Sequence, residues 1–241
     1  MIELKNLSKS YNRGQIQAVS DLDLAVKGGE IFGFLGPNGA GKTTTIKMMV
    51  GLLKPDAGQV KIKGFDIQKN PLAVKKRIGY VPDQPDVYEK LTGLEYLDFM
   101  ADAYGVPLEQ RLEKMEKLLE KFQMGNAVFD LIQSYSHGMR QKIVLIGSLI
   151  PDPEVLIIDE PLTGLDPKSS HIFKEMMRSR CKEGKIVFFS THILEVAEKF
   201  CDRVGIINMG RLIALGTLQE LQKQAQRKES LESIFLELTA S

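Results

Sequence analysis

Apolar residues fall on alternate positions through the first third of the chain. Ile2 and Leu4 form one such set, Leu22, Leu24 and Val26 a second, and Val60 and Ile62 a third. A period of two predicts strands of a sheet with one wet face. Four later runs are apolar throughout, at 31–35, 155–158, 186–189 and 204–207. Such runs suit a parallel sheet covered on both faces by helices. Helical periodicity separates them. Thr92 and Glu95 have capping-box spacing ahead of a helix over 96–104. Residues 108–122 are rich in Leu, Glu and Lys at helical spacing. A helix over 168–183 is followed by Gly184, a C-cap residue. Thr217 and Glu220 repeat the capping-box spacing. The predicted order is antiparallel strands, a strand–loop–helix unit, a mostly helical insert over about 92–150, and a return to alternating strand and helix. No internal repeat, low-complexity tract or linker interrupts it.

Composition narrows the classes without choosing among them. The 241 residues are enough for one domain, with or without subdomains. Lysine plus arginine number 32 against 31 acids, which argues against a nucleic-acid partner held by a basic surface. Cys181 and Cys201 match no metal-ligand spacing and read as reduced thiols. The first residues lack a signal-peptide pattern. Apolar runs such as 143–150 fall short of the ~20 residues that span a bilayer. Work at a membrane would therefore require docking onto another protein.

The strongest local signal is Gly36-Pro37-Asn38-Gly39-Ala40-Gly41-Lys42-Thr43-Thr44. It fits the P-loop pattern of a glycine, four residues, then Gly-Lys-Ser/Thr. Glycines allow the backbone to wrap a triphosphate so that successive N–H groups point inward. Lys42 offers an ammonium to the outer phosphates, and the Thr43 hydroxyl can ligate Mg²⁺. The loop follows an apolar strand and leads into a helix over 42–53, whose N-terminal end favours anions. ATP with Mg²⁺ is the expected ligand.

A second signal is Leu156-Ile157-Ile158-Asp159-Glu160. A buried strand delivers two acids at its carboxyl end, the edge where open α/β sheets place ligands. Asp159 suits a Mg²⁺-holding role through water. Glu160 suits a base that polarises the attacking water.

A third signal is Ser134-Tyr135-Ser136-His137-Gly138-Met139-Arg140-Gln141-Lys142 ahead of an apolar helix. Physically, Ser136 and Gly138 make a capped, anion-binding helix end. The segment resembles the signature motif of ABC ATPases, usually Leu-Ser-Gly-Gly-Gln, with Ser136 and Gly138 at its serine and second glycine. The resemblance extends over nearly the whole chain. Tyr11 matches the aromatic that stacks on adenine, Gly164-Leu165-Asp166 the loop that crosses the dimer interface, and His192 the switch histidine near the γ-phosphate. It implies an α/β fold: a P-loop NTPase core of the ABC ATPase type with a mainly parallel sheet, an N-terminal antiparallel β-subdomain and a helical insert subdomain. It implies one domain over 1–241, with the insert at about 92–150 and a C-terminal helical extension at about 217–241. It further implies a head-to-tail dimer with a second ATP-binding subunit. Each ATP would lie between the P-loop of one chain and Ser136 and Gly138 of the other.

Two departures from the family pattern matter. Tyr80-Val81-Pro82 is followed by Asp83 and then Gln84, where the family has a Gln that reaches Mg²⁺ and the attacking water. Asp83 is preferred for that place, with Gln84 the alternative. Tyr135, His137 and Met139 stand where the family has Leu, Gly and Gln. Either His137 faces nucleotide, where a protonated ring would favour phosphate, or it points away.

Residues 86–95 and 230–238 resemble the subgroup serving drug-, antibiotic- and polysaccharide-type exporters. That resemblance implies separate transmembrane permease subunits and a peripheral place on the cytoplasmic face of the membrane. The rival class is a soluble ABC ATPase acting as a switch. Those carry two fused ATPase domains or a long coiled coil, whereas this chain has one P-loop and a compact insert. A P-loop kinase or GTPase would lack the signature, and no Asn-Lys-x-Asp guanine motif occurs.

Overall fold

In a computed structural model, residues 1–85, 87–160, 164–224 and 230–239 are described. Asp86, within the segment that resembles the exporter subgroup, lies outside them. The first sheet has the order β2-β1-β4-β5, from β1 (Ile2–Tyr11), β2 (Ile16–Val26), β4 (Ala57–Ile62) and β5 (Phe65–Asp66), all antiparallel. Ile2, Leu4, Leu22, Leu24, Val26, Val60 and Ile62 are all buried, so the alternation over the first third does mark a half-buried sheet.

The second sheet has the order β10-β9-β3-β8-β7-β6. Its strands are β3 (Ile31–Leu35), β6 (Ile78–Val81), β7 (Val155–Asp159), β8 (Ile186–Thr191), β9 (Arg203–Asn208) and β10 (Arg211–Gly216). The first five run parallel, and β10 joins β9 antiparallel. β6 and β10 were not legible as strands. The four apolar runs are the four central strands, and the pleat divides their side chains between two cores. Phe32, Phe34, Val155, Ile157, Ile186 and Phe188 face the antiparallel sheet and α1 (Lys42–Met49). Ile31, Leu156, Ile158, Val187 and Phe189 face the helices of the opposite side. A strand whose two faces are both dry has no polar positions to alternate.

The remaining helices are α2 (Pro71–Lys75), α3 (Gly93–Ala103), α4 (Leu108–Lys121), α5 (His137–Leu149), α6 (Pro167–Lys182), α7 (Leu194–Phe200), α8 (Leu218–Gln224) and α9 (Leu231–Thr239). The Thr92–Glu95 capping box forms in full, and the Thr217–Glu220 pair bonds the same way. Six helix bounds differ from expectation, three of them only by the last residue, at the ends of α3, α4 and α6. α1 ends at Met49 rather than at residue 53, because Gly51 takes φ +74° and the Leu52 and Leu53 amides both turn back to the Lys47 carbonyl. α3 begins at Gly93, directly after its cap, and not at the first large apolar residue. α6 begins at Pro167 because Asp166 caps it, its Oδ1 accepting from the Ser169 amide at 2.8 Å. Among the described residues no helix is long and apolar enough to cross a membrane.

The parallel direction decides where chemistry can occur. The carboxyl ends of β3, β6, β7 and β8 open onto one edge of the sheet, and the loops leaving them converge there.

Candidate functional site

At that edge lies a cleft of about 200 Å³. Pro37, Asn38, Gly39, Gly41, Lys42, Thr43 and Thr44 line one side of it, and Asp83, Asp159 and Glu160 another, with Ala18 at the margin. Gly36 and Ala40 belong to the same loop but lie beneath the lining. A Cβ at Gly36 would collide with the Ile207 carbonyl, and Ala40 is buried. Gly41 has φ +108°, and a Cβ there would strike the Ala18 carbonyl. Side chains at these two positions would force the loop open before any ligand arrived.

Lys42 is buried, and its Nζ donates to the Gly36 carbonyl at 2.6 Å and the Pro37 carbonyl at 3.2 Å. Burial pushes this ammonium below its usual range, opposed by the negative charges of Glu160, Asp159 and Asp83. The loop carbonyls occupy donors that a triphosphate would otherwise take. Thr43 Oγ1 donates to Asp159 Oδ2 at 2.8 Å. The Ser190 hydroxyl donates to the other oxygen of that carboxylate. Asp159 is 1% exposed, so both bonds offset its desolvation.

Glu160 is held in an unusual backbone conformation, φ +51°, at the end of β7. Its amide bonds the Ser190 carbonyl and hydroxyl, both at 3.2 Å. Its Oε1 lies 3.0 Å from His192 Nδ1 and 4.0 Å from Lys42 Nζ. This carboxylate therefore faces into the cleft between two nitrogen bases. Asp83 lines the cleft and Gln84 does not. Burial, with the charges of Asp159 and Asp83 adding to it, pushes the Tyr80 phenol up to about 12. Tyr11 stands at the rim, its hydroxyl 3.4 Å from Thr44 Oγ1.

Thr43, Asp159 and Asp83 present hard oxygen donors of the kind Mg²⁺ takes. Among the described residues no three His, Cys, Asp or Glu side chains are grouped as a self-sufficient metal site. The donor set fits an ion that arrives with phosphate oxygens and is only partly held by protein.

Ser136 and Gly138 do not line the cleft. Ser136 caps α5, its hydroxyl accepting from the Met139 amide at 3.3 Å. His137 is exposed, and its ring lies over Gly164, where a Cβ would meet Nε2 at 2.9 Å. Asp166 bonds Lys142 at 2.8 Å, tying the Gly164–Asp166 loop to α5 of the same chain. The sequence alone left Ser190 without a role at the acids. The signal that finds it is the register Asp159↔Ser190 between β7 and β8, a long-range pairing.

Comparison with known proteins agrees with this geometry. Residues 19–163 match the family model described as ABC transporter. The chain is 37% identical over 239 residues to the ABC transporter ATP-binding protein NatA of Bacillus subtilis, covering 98% of this chain and 97% of that one. It is 39% identical to the daunorubicin/doxorubicin resistance ATP-binding protein DrrA of Streptomyces peucetius, covering 98% of this chain and 69% of that one. The solved ATP-binding subunit of an ABC transporter superposes with TM-score 0.94 at 35% identity, over 99% of both chains. The dimeric cassette MJ0796 bound to ADP and Pi superposes with TM-score 0.82 at 25% identity, over 90% of this chain and 99% of that one. A P-loop at the carboxyl edge of a parallel sheet, two acids opposite it and a capped signature helix outside the cleft place this chain in the ABC transporter family, as an ATP-binding and ATP-hydrolysing subunit.

Proposed function

We propose that two such chains close head to tail around two ATP molecules and drive separate transmembrane permease subunits, in the direction of export. The observation that carries this reading is the divided site. The cleft gathers the P-loop and both strand-end acids, yet Ser136 and Gly138 lie outside it. The N-terminal end of a helix favours an anion, and a second chain can bring one. In this reading Tyr11 stacks on adenine. Backbone amides of 36–44 and the Lys42 ammonium hold the β- and γ-phosphates. Thr43, Asp159 and Asp83 would hold Mg²⁺, Asp159 through water and Asp83 directly or through water. When bound, Mg²⁺ supplies positive charge against the phosphate oxygens. Glu160 orients and polarises the attacking water, and His192, at 3.0 Å from that carboxylate, keeps it aimed toward the γ-phosphate. The chain acts as one domain, with the helical insert at about 92–150 carrying the second half of the partner's site.

Docking to a permease, and through it to the cytoplasmic face of the membrane, is supported by an exposed aromatic pair. Tyr88 and Phe99 stand edge to face at 5.5 Å, both in solvent, on the segment between Asp83 and the middle of α3. Export is supported by similarity to a drug-resistance ATP-binding protein.

The test is Glu160→Gln. The amide cannot accept a proton from water, so ATP should bind, turnover should fall by at least about a hundredfold, and an ATP-bound dimer should accumulate on size-exclusion chromatography. Normal turnover in that variant would remove Glu160 from its role.

A further inference from the structure

Arg140 lies one turn into α5, past the serine on which the two-chain reading depends. Its guanidinium makes three contacts, two on the approach to that helix and one on the segment that leads into α3. Nη2 donates to the Gln133 carbonyl at 3.2 Å, Nε to the Tyr135 carbonyl at 3.4 Å, and Nη1 to Glu89 Oε1 at 2.7 Å. Gln133 and Tyr135 flank the last turn before Ser136. Glu89 belongs to the strap over 87–92 that leads into α3 and also presents Tyr88.

The strap and the approach segment are laced by backbone bonds as well. The Gln133 amide donates to the Glu89 carbonyl at 3.0 Å, and the Ile132 amide to the Leu91 carbonyl at 2.9 Å. The Gly93 amide donates to the Asp130 carbonyl at 3.2 Å. Tyr135 is buried beneath them, its hydroxyl donating to the Ala127 carbonyl at 2.6 Å. The Ser136 end of α5 is therefore not a free helix terminus.

The Glu89–Arg140 ion pair is partly exposed, at 56% and 27%, and so adds little to stability by itself. Its value is geometric. The planar guanidinium spreads its donors over three nitrogens in fixed positions and so reaches both carbonyls and the carboxylate, whereas an ammonium presents its three donors from one nitrogen on a flexible stem. Small displacements of a phosphate-binding group are expensive, since a shift of about 1 Å can cost a hundredfold in rate.

We propose that Arg140 is a positioning residue for hydrolysis: anchored by Glu89, it fixes the Gln133 and Tyr135 carbonyls and so aims the Ser136 end of α5 at the ATP held by a partner chain. This rests on the two-chain reading given above. Arg140 touches no phosphate itself; it acts through Ser136.

The experiment compares Arg140→Lys and Glu89→Gln with their parent in two settings. In the Glu160→Gln background, the dissociation constant of the MgATP-bound dimer is measured by sedimentation, and nucleotide affinity of the monomer by a fluorescent ATP analogue. In the otherwise native chain, ATPase activity is followed against protein concentration. Arg140→Lys should weaken the dimer by about tenfold or more and leave monomer nucleotide affinity within about twofold. Its ATPase activity should recover as protein concentration rises. Glu89→Gln should act in the same direction by about threefold, since a neutral amide still accepts one hydrogen bond. A purely structural role would lower the melting temperature and nucleotide binding together, and that outcome overturns the proposal. So does a dimer of unchanged affinity in Arg140→Lys. If Ser136→Ala weakens the dimer and Arg140→Lys does not, the two-chain reading stands and the role of Arg140 falls. If Glu160→Gln binds MgATP and never dimerises, both fall.

Discussion

Thr43 Oγ1 donates to Asp159 Oδ2 at 2.8 Å, joining the first turn of α1 to the end of β7 across 116 residues of sequence. The bond shows that the P-loop and the acid strand are already in register for a shared ligand. Ser190 completes the environment of that carboxylate from the neighbouring strand.

Ser190→Ala follows from this arrangement. It leaves one oxygen of a buried carboxylate without its donor, at a cost of about 1–3 kcal/mol. The melting temperature should fall by roughly 2–10 °C. In the proposed reading the lost bond orients the carboxylate that would hold Mg²⁺, so the Mg²⁺ concentration for half-maximal activity should rise by about tenfold. A Mg²⁺ titration of ATPase activity, alongside a thermal melt, checks both. An unchanged Mg²⁺ requirement would mean that Ser190 only supports the strand.

Asp83 lines the cleft, and in the proposed reading it takes the place of the glutamine of the family pattern. Asp83→Gln keeps an oxygen donor and removes a charge. Activity at saturating Mg²⁺ should stay within about tenfold of the parent, while the Mg²⁺ requirement rises. Asp83→Ala should lose both. Steady-state rates at several Mg²⁺ concentrations separate these outcomes, and an Asp83→Ala enzyme with normal Mg²⁺ dependence would exclude the residue from metal binding.

The parts of the site carried by contiguous residues were legible in the sequence, since the P-loop, the acid pair and the capping boxes each depend on neighbours a few positions apart. Ser190 was not, because its partner Asp159 is reached only through strand register. The early end of α1 was hidden for a related reason. Its periodic apolar residues continue past Gly51, and only the left-handed backbone there stops the helix. β6 escaped notice because four residues containing Gly79 and Tyr80 carry little periodic signal. What Ser136 does in isolation was ambiguous in sequence, as a cap and an anion site use the same residue types. Its position outside the cleft is the observation on which the proposed two-chain site rests.

His137 replaces a glycine of the family motif, and its ring rests on Gly164. In the proposed reading Ser136 and Gly138, rather than this ring, meet the phosphate. His137→Gly should leave hydrolysis within about tenfold, or ~1.4 kcal/mol of barrier. Complete loss of ATPase activity in this variant would show that the imidazole works on nucleotide directly.

Cys181 is buried and Cys201 partly so. Burial pushes Cys181 up to about 11 and Cys201 further above the ordinary thiol range. A raised thiol pKa means less thiolate at a given pH, so at pH 8 only about one Cys181 in a thousand is reactive. Labelling of the native chain by a thiol reagent should be slow at pH 8 and rise about tenfold per unit up to pH 10, whereas the unfolded chain should level off above about pH 9. Rapid labelling of the native chain at pH 8 would contradict the packing around α6 and α7.

In the proposed reading each ATP site is built from two chains, and mixing two crippled chains shows whether it is. Lys42→Ala removes the phosphate lysine and keeps an intact α5 end. Ser136→Glu keeps the P-loop and puts a carboxylate where a partner's γ-phosphate should lie. Each should be nearly inactive alone. Mixed in equal amounts they should recover about a quarter of the native ATPase rate, because half of the random dimers contain one whole site of two. Activity no greater than the sum of the separate variants, with dimers present, would contradict a site shared between chains.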